Sequence, residues 1–552
     1  MKRVIATLIM LSLCYMGTAY AAGTVEVTSF VHPDPRIGTR FVQVYLPEGY
    51  NPAGIIDYPV IYFLHGAKDG IDPGYANHLS YPFMISILDE LIGNGIIHPV
   101  IAVKPNSQCT PYLISWHTNS MLNGPWEDYT YTSLVDFIEG NYRTMSDPEY
   151  RFLMGHSAGG HGVLKVALKH LDLFSAIATH SGSGFDIDVM LMSALPLLLA
   201  EYPEGPPYAW NPTRGFISAS CFSLAGAFSP NMANPPFYVN LPLDAYANVI
   251  PAVWDLWLAQ SPTSIAATVT PSDCPRIYFD CGMQDELGAA PQNVSVHNHF
   301  DALGIDHIFQ PYTGGHFDKL PERFPIGITF LVGLKAAIAF QPATLNLKSN
   351  GNYVTCHIQL PGDYSAADID PATVMLNKIN GMAIDPPIYR EGPYSVSNHN
   401  GRPRLIVKFS REALIANLSA MGIGGGQVAE LGVAGELMSR IPFHDNGTIN
   451  VIGTGGPMGN EMAGKNGLFL HQCTPNPFVG ATTISYEVPT ASHVEVRVYN
   501  AIGQCVAKLV DAQHDAGTYS INWTAGNLAH GVYICRMEAD NNTVTQKMLL
   551  MK

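Results

Sequence analysis

Residues 151–160 read Arg151-Phe152-Leu153-Met154-Gly155-His156-Ser157-Ala158-Gly159-Gly160, and this stretch decides the fold. Three apolar residues lead into a Gly-x-Ser-x-Gly sequence, and the residues after it have the apolar spacing of a helix. A buried strand, a sharp turn with serine at its apex and a returning helix form a nucleophile elbow. Gly155 and Gly159 suit such a turn because a side chain at either position would collide across it. The pattern therefore predicts Ser157 as a nucleophile.

Length and charge limit the classes of protein that this chain can be. At 552 residues it suits two to four domains, and 47% hydrophobic residues are ample for their cores. The net charge is −16 and no basic cluster occurs, which argues against nucleic acid or an anionic membrane surface as a partner. No Cys/His group has the spacing of a zinc site, and we expect no metal and no cofactor.

The first 21 residues have the pattern of an export signal. Met1-Lys2-Arg3 is basic, residues 4–16 are almost entirely apolar, and Ala19-Tyr20-Ala21 offers small residues for cleavage. No later stretch is both long and apolar enough to span a bilayer. We therefore expect a signal peptide at residues 1–21 and an exported protein without a transmembrane segment, in which cysteines are permitted to form disulfides.

Strands alternate with helices over residues 22–340, which predicts a doubly wound α/β sheet. Besides the strand before Ser157, the predicted strands lie at 24–30, 40–47, 58–64, 98–105, 173–179, 276–279 and 307–312. The predicted helices lie at 79–94, 126–142, 160–168, 289–303 and 321–340. Residues 182–273 interrupt this alternation of strands and helices. They are too many for an ordinary crossover and are dense in proline and aromatic residues. We interpret them as a cap-like insertion over the site; an insertion with its own packed aromatic core is the alternative.

The pattern of predicted secondary structure changes near residue 341. Short strands separated by turn-rich stretches predict a small β-sandwich at 341–452. Residues 453–467 are rich in glycine and read as a flexible linker. Short strands at regular spacing then predict a second β-sandwich, immunoglobulin-like, at 468–552. The fold class we expect is thus an α/β-hydrolase followed by two small β domains.

A serine needs a base to remove its proton and an acid to orient that base. In this fold the partners follow the serine in the order acid, histidine, each on a loop after a strand. Asp285 lies in the turn that follows the strand at 276–279, and we assign it as the acid. His316 follows Gly314-Gly315 in the exit loop of the next strand, and we assign it as the base.

Each assignment has rivals. Asp280 at the strand end and Glu286 beside Asp285 are alternative acids. A turn aspartate can also do no more than bond its own backbone. Among the other histidines, His297 and His299 fall on a predicted helix, and His307 falls at the start of a strand, where it is at the wrong end of the sheet.

Acyl transfer also needs donors for the developing oxyanion. The backbone amide of Ala158, directly after the nucleophile, is one candidate, and the amide of Ala67 in the loop after the third strand is the other, with Gly66 as its alternative. We further assign Trp116, Trp126 and His156 to the substrate cleft. Glu127 and Asp128 begin a predicted helix, where negative charge is favourable, and we prefer that structural interpretation for them.

Several ordered motifs resemble the esterase D-like α/β-hydrolases, which include the feruloyl and acetylxylan esterases of carbohydrate esterase family one, S-formylglutathione hydrolases and mycolyltransferases. The motifs are Leu64-His65-Gly66, Trp126-Glu127-Asp128-Tyr129, Gly155-His156-Ser157-Ala158-Gly159-Gly160, Gly282-x-x-Asp285 and Gly314-Gly315-His316. The resemblance covers residues 24–340 and implies a serine esterase that acts on feruloyl or acetyl esters of plant polysaccharide. Residues 182–273 depart from the smaller members of the family.

The end of the chain resembles the sorting domain of type IX secretion substrates. The motifs are Cys473-Thr474-Pro475-Asn476-Pro477-Phe478, Tyr499-Asn500-Ala501-Ile502-Gly503-Gln504, Ala516-Gly517-Thr518-Tyr519, Gly531-Val532-Tyr533 and Lys547-Met548-Leu549-Leu550-Met551-Lys552. This resemblance implies that the type IX secretion machinery is a partner and that the protein is secreted or attached to the cell surface. An immunoglobulin-like module without a sorting role is the alternative.

The leading hypothesis is therefore a secreted serine carboxylesterase. An acyltransferase or a serine peptidase would use the same three residues. A non-catalytic binding protein on a hydrolase scaffold is the alternative from a different class.

Overall fold

The computed structural model describes residues 22–67, 83–109, 112–349, 351–453, 469–470, 473, 476, 478–500, 504–526, 528–539 and 542–551. The predicted signal peptide and nearly all of the predicted glycine-rich linker lie outside these residues. The chain divides into two compact units, the first reaching Lys335 and including Ser439–Pro442, the second comprising Ala336–Met438 and Phe443–Lys552. In the described part of the chain, no helix is both long and apolar enough to cross a membrane.

A sheet of eight strands forms the centre of the first unit. The strands of this unit are β1 (Thr24–Val31), β2 (Thr39–Leu46), β3 (Val60–Leu64), β4 (Ile101–Pro105), β5 (Asn119–Ser120), β6 (Gly124–Pro125), β7 (Arg151–His156), β8 (Ala176–His180), β9 (Arg276–Gly282), β10 (Ile308–Tyr312) and β11 (Leu334–Lys335). The order across the sheet is β1-β2-β4-β3-β7-β8-β9-β10. β1 and β2 form an antiparallel hairpin at one edge, β2 runs antiparallel to β4, and every other neighbouring pair is parallel.

Helices cover both faces of this sheet. The helices of the unit are α1 (Met84–Gly93), α2 (Trp126–Asp128), α3 (Leu134–Asn141), α4 (Ala158–Lys169), α5 (Ile187–Ala200), α6 (Phe216–Phe228), α7 (Pro251–Leu258), α8 (Pro262–Ala266), α9 (Ala289–Leu303) and α10 (Leu320–Val332), with a π-helical stretch, Tyr129–Ser133, joining α2 to α3. One hydrophobic cluster packs α3, α4 and α9 on the sheet, and another packs α1 and α10. Because apolar strands such as β3 are buried along their whole length, the sheet needs cover on both sides. The doubly wound α/β sheet is the α/β-hydrolase-like fold that was predicted.

One helix ends earlier than its sequence pattern predicts. A helix was expected over 321–340, but α10 stops at Val332 and strands begin at Leu334. The reason is Gly333, whose φ of +85° leaves the right-handed helical region. The prediction is therefore wrong for the last eight positions.

The interval 182–273 contains four helices, α5 to α8, and a core of its own. Phe228 packs edge-on against Trp257 with ring centroids 5.8 Å apart, and Trp254 stacks on Trp257 at 5.9 Å. The same hydrophobic cluster includes Trp116 and Ala158, which belong to the sheet-bearing part of the chain. The interval thus has a packed aromatic core that belongs to the same hydrophobic cluster as the residue after Ser157.

The second unit is rich in strands. They are β12 (Ala337–Gln341), β13 (Thr344–Asn346), β14 (Tyr353–Gln359), β15 (Ile369–Ile379), β16 (Met382–Tyr389), β17 (Ser395–His399), β18 (Arg402–Ser410), β19 (Val428–Leu437), β20 (Pro442–Ile452), β21 (Phe469–Leu470), β22 (Phe478–Val479), β23 (Ala481–Val488), β24 (Ser492–Asn500), β25 (Cys505–His514), β26 (Gly517–Thr524), β27 (Gly531–Ala539) and β28 (Asn542–Met551). One helix, α11 (Arg411–Ala420), interrupts them, and the sequence patterns did not predict it.

These strands form separate sheets in the two parts of the second unit. Residues 337–452 contain a sheet in the order β12-β14-β18-β17 and a second with β20, β19, β15 and β16 adjacent in that order. Residues 469–551 contain the sheets β21-β23-β26 and β22-β28-β27-β24-β25. All eight cysteines among the described residues are free thiols.

Candidate active site

Ser157 stands at the turn between β7 and α4, and its backbone is strained. Its φ of 58° and ψ of −124° are rarely adopted by a residue with a side chain. A Cβ added to Gly159 would lie 2.0 Å from the carbonyl oxygen of Leu64, and one added to Gly155 would lie 2.7 Å from the carbonyl carbon of Gly159. The first turn of α4 therefore packs directly on the loop after β3, and this close approach requires glycine.

Asp285 and His316 are brought together by the loops after β9 and β10. Nδ1 of His316 donates to Oδ2 of Asp285 at 2.7 Å, and neither side chain has exposed surface. The other oxygen, Oδ1, accepts from the amides of Leu287 (2.9 Å) and Ala289 (3.2 Å). The carboxylate is thus fixed by backbone donors at the start of α9, and one oxygen is left for the histidine.

The second ring nitrogen of His316 is the basic one. Since Nδ1 carries the proton that is given to Asp285, Nε2 of the neutral ring holds a lone pair. Nε2 is buried and has no hydrogen-bond partner within the described residues. The ring lies 4.7 Å, centroid to centroid, from the ring of His156, which directly precedes Ser157. An unsatisfied base is therefore held beside the strand that carries the serine.

The rival acids have other partners. Asp280 lies inside the sheet, where it accepts from Nδ1 of His180 (2.9 Å) and from Nε of Arg323 (3.0 Å). Glu286 accepts from the backbone amide of His316 at 3.0 Å and thereby holds the loop rather than the imidazole. Of the three carboxylates, it is Asp285 that meets the imidazole of His316.

The other candidate histidines lie elsewhere. His297 on α9 is bonded to His307, with Nδ1 of the first 2.8 Å from Nε2 of the second. His299 is also on α9, where its Nδ1 donates to the backbone oxygen of Ser295. His307 immediately precedes β10, at the opposite end of that strand from the loop with His316.

The predicted oxyanion residues line the same cavity as Ser157. Ala67 and Ala158 both line a cavity whose wall includes Ser157. The loop after β3, to which Ala67 belongs, is held by His65, whose Nε2 accepts from the amide of Ser107 at 3.0 Å while Nδ1 donates to the oxygen of Gly66 at 2.7 Å. Burial lowers the pKa of His65 to about 3, so this buried ring stays neutral and keeps both bonds.

The three residues assigned to the substrate cleft have different positions. Trp116 lines the same cavity as Ser157. Trp126 is fully buried in a separate cluster with Tyr129, and its Nε1 donates to the oxygen of Asn123 at 2.8 Å. His156 is also fully buried, and its Nε2 donates to the backbone oxygen of His316 at 3.1 Å. The structure therefore does not bring Trp126 or His156 to the cavity; His156 instead supports the loop of His316.

A buried lysine near Trp116 was not predicted to have a role. Lys165 on α4 has no exposed surface, and its Nζ donates to the oxygen of Trp116 (3.3 Å) and to Oγ1 of Thr118. Its counter-charge is Glu127, 3.5 Å away. Burial lowers the pKa of Lys165 to about 7 although Glu127 acts in the opposite direction. A lysine flanked on both sides by apolar residues of a helix, here Leu164 and Val166, is the sequence signal that indicates such a site.

The contacts of Glu127 correct part of the interpretation given to the start of α2. Glu127 and Asp128 do lie in the first turn of α2, as expected. The carboxylate of Glu127 also accepts from Nζ of Lys169 at 2.8 Å and contacts Nε2 of His170 at 3.4 Å. Glu127 is therefore the centre of an ion-pair network with α4, and not only a favourable charge at a helix end.

The sheet order, the strained serine after β7 and the aspartate–histidine pair on the loops after β9 and β10 are the features of an α/β-hydrolase-like fold. Comparison with known proteins gives the family. The sequence profile of the putative esterase family matches residues 38–319, just over half of the chain, and the chain belongs to this family. A second profile, the secretion system C-terminal sorting domain, matches residues 473–551.

Relatives cover only parts of the chain. Esterase MT1326 of Mycobacterium tuberculosis (strain CDC 1551 / Oshkosh) is 34% identical over 145 residues, which are 26% of this chain and 28% of that protein. Endo-1,4-beta-xylanase Y of Acetivibrio thermocellus is 26% identical over 155 residues, 26% of this chain and 13% of that protein. The chain thus spans less than a third of the length of the curated relatives it matches.

Solved structures are similar at low identity. A ferulic acid esterase has a TM-score of 0.39 at 20% identity and covers 56% of this chain and 96% of its own. A CE1 ferulic acid esterase from Anaeromyces mucronatus, solved in complex with ferulic acid, has a TM-score of 0.36 at 16% identity and covers 57% of this chain and 92% of its own.

Proposed function

We propose that the protein is a secreted serine carboxylic-ester hydrolase that acts through an acyl-enzyme. The observation that carries this proposal is the buried hydrogen bond from His316 to Asp285, with Nε2 of the same ring left unpaired within the described residues. A histidine held in this tautomer is suited to take a proton from a serine hydroxyl. His156 supports the proposal that His316 lies beside Ser157, because His156 contacts His316 and is covalently joined to Ser157.

In the proposed reaction, Oγ of Ser157 attacks the ester carbonyl while Nε2 of His316 accepts the hydroxyl proton. The imidazolium that forms is stabilised by Asp285. The amides of Ala158 and Ala67 donate to the oxyanion, and such a donor is commonly worth ~3 kcal/mol in the transition state. His316 passes its proton to the departing alcohol, then takes one from a water molecule, which attacks the acyl-enzyme. The acid is released and the proton returns to Ser157.

The sorting domain indicates a protein that is secreted or attached to the cell surface, handled by the type IX secretion system. We propose that its substrate is an ester linked to an extracellular polysaccharide. The family resemblance supports a polysaccharide as the alcohol component of this ester, and an enzyme outside the cell has access to such a polymer. Feruloyl and acetyl groups are the acyl components that the resemblance implies.

A fluorophosphonate probe tests the proposed nucleophile. We expect the full-length protein to be labelled and Ser157→Ala to remain unlabelled. Ser220→Ala is the matched control, since Ser220 lines the same cavity but its hydroxyl donates to the oxygen of Phe216, and it should still be labelled. Absence of labelling in folded wild-type protein would show that the chain is a binding protein on a hydrolase scaffold.

We also propose that the strand-rich region consists of two β-sandwich domains, at 341–452 and 468–552. In the second of these, one hydrophobic cluster includes Ile484 and Trp523 from one sheet and Val496 and Met548 from the other. Limited proteolysis should cut first within 453–467 and release a stable C-terminal fragment. A first cut inside either domain would contradict these boundaries.

A further inference from the structure

The cavity beside Ser157 is formed largely by the insertion at 182–273. Its volume is about 110 Å³. Helix α5 contributes Leu191, Ala194, Leu195 and Leu198, helix α6 contributes Leu224, and helix α7 contributes Trp254 and Trp257. Ser157 and Ala158 line it from the sheet side. A group held in this cavity is therefore next to the proposed nucleophile and its oxyanion donor.

The tryptophans of this cavity offer it apolar ring surface only. Nε1 of Trp254 donates to Oδ1 of Asp188 at 2.8 Å, and Nε1 of Trp257 donates to Oγ of Ser229 at 2.9 Å. Nε1 of Trp116 donates to Oγ of Ser223 at 3.1 Å. Each indole N–H is thus already bonded to a residue outside the lining.

Two polar side chains of the lining, Gln292 and Ser220, are also satisfied elsewhere. Oε1 of Gln292 accepts from the amide of Gly184 at 2.7 Å, and its Nε2 donates to the oxygen of Gly288 at 2.8 Å. Ser220 donates to the oxygen of Phe216 at 2.8 Å. Among the described residues that form the wall, none carries a charge. A buried hydroxyl or charge on the bound group would lose its hydration without a matching partner, which is unfavourable.

The volume of the cavity also determines which acyl groups fit. An apolar cavity of roughly 150 Å³ accommodates benzene, so about 110 Å³ suits an aliphatic group of about four to six carbons. An acetyl group would leave most of the cavity unfilled. A feruloyl group adds methoxy and phenol substituents to its ring, and it exceeds this volume.

We propose that this cavity is the acyl pocket and that the enzyme prefers uncharged aliphatic acyl groups of about four to six carbons over acetyl and feruloyl groups. This inference rests on the proposed esterase function and changes its acyl component, while the alcohol component stays as proposed. The insertion is then the element that determines which acyl group is transferred to Ser157.

The test is a series of esters that share a leaving group. With p-nitrophenyl acetate, butanoate, hexanoate and decanoate, kcat/KM should rise about fourfold per added methylene and then fall beyond hexanoate. The kcat/KM for methyl butanoate should be higher than that for methyl ferulate. Hydrolysis with acetate or ferulate as the best acyl group would overturn the acyl preference alone. Absence of both turnover and fluorophosphonate labelling would overturn the esterase function together with it.

Two cavity variants and a matched control locate the preference. Ala194→Trp fills the cavity and should lower the ratio of butanoate to acetate kcat/KM by about tenfold or more. Leu195→Ala enlarges it and should move the optimum to a longer chain. Met192→Trp places the same ring on the exposed side of α5, where Met192 is 76% exposed, and should leave the ratio unchanged. Equal ratios in all four proteins would show that the cavity does not hold the acyl group.

Discussion

The sheet contains two buried aspartate–histidine pairs, one inside the strands and one on the loops beyond their carboxyl ends. Asp280 and His180 face each other in register on β9 and β8, with Nδ1 2.9 Å from Oδ1. Asp285 and His316 meet at 2.7 Å on the loops after β9 and β10. All four side chains are fully buried, so neither burial nor distance distinguishes the pairs.

Their other partners do distinguish them. Asp280 also binds the guanidinium of Arg323 at 3.0 Å and the hydroxyl of Tyr278 at 2.8 Å, so its charge is already neutralised by a permanent cation. Besides His316, Asp285 is bound by two backbone amides and by the thiol of Cys281, whose Sγ lies 4.0 Å from Oδ2, and by no permanent cation among the described residues. A carboxylate without a cation is the one that can stabilise a proton arriving on its histidine.

The free nitrogens of the two histidines also face different surroundings. A Cβ added to Gly327 would lie 2.6 Å from Nε2 of His180, which therefore faces the backbone of α10. His316 instead packs on His156, beside Ser157. From this comparison we propose that the loop pair is catalytic and that the strand pair is structural, and each role can be tested separately.

Asp285→Asn should have the largest effect on activity. The amide cannot stabilise an imidazolium and favours the wrong tautomer of His316, so kcat on p-nitrophenyl butanoate should fall about 10³- to 10⁴-fold. Thermal unfolding should shift little, because the backbone bonds to Oδ1 can persist. A loss of activity below tenfold would show that Asp285 is not the acid.

Asp280→Asn should instead lower stability. It leaves the guanidinium of Arg323 without its carboxylate inside the sheet, and removing one partner of a buried pair typically costs about 3–5 kcal/mol. Activity of the protein that remains folded, measured well below its unfolding temperature, should stay within about tenfold of wild type. If this variant loses kcat as Asp285→Asn does and keeps its stability, the roles of the two pairs are reversed.

Glu127 extends the comparison to a third carboxylate, which like Asp280 is bound by a permanent cation, here Lys169. Burial raises its pKa, but the hydrogen bond from His170 and the charges of Lys165 and Lys169 outweigh this and lower it from 4.5 to about 2. Its stabilising contribution is therefore complete above about pH 4.5 and is lost as the pH falls towards 2.

Urea unfolding of wild type and Glu127→Gln, followed between pH 6 and pH 2, measures this contribution. Wild type should be the more stable protein at pH 6, and the difference should shrink on acidification by on the order of 3 kcal/mol. A difference that stays constant with pH would mean that the ion pairs of Glu127 do not act in this way.

Local patterns and chain order account for what could be predicted from the sequence. The elbow around Ser157 follows from two glycines and the periodicity on either side, and the order of acid and histidine follows from strand ends that meet at one edge of a parallel sheet. The pairing of Asp285 with His316 could therefore be predicted from the sequence. Their catalytic roles stay predictions until the variants are measured.

Long-range packing accounts for what could not be predicted. Nothing local to Trp126 shows that its ring lies against the guanidinium of Arg40, or that Trp116 reaches the cavity instead. The contact of Glu127 with Lys165 joins residues far apart in the chain, and the hydrogen bond from His156 to His316 joins residues even further apart. Such contacts depend on the assembled sheet, because helix and strand periodicity specifies a buried face but not its partner.

The most direct test of the account is the mass of the acyl-enzyme. Brief incubation with p-nitrophenyl butanoate, acid quenching and tryptic digestion should give the peptide of residues 152–165 carrying one butanoyl group on Ser157. Asp285→Asn should accumulate the adduct far more slowly than Asp280→Asn. A butanoyl group on another residue, or turnover with the peptide unmodified at every quench time, would contradict the proposed mechanism.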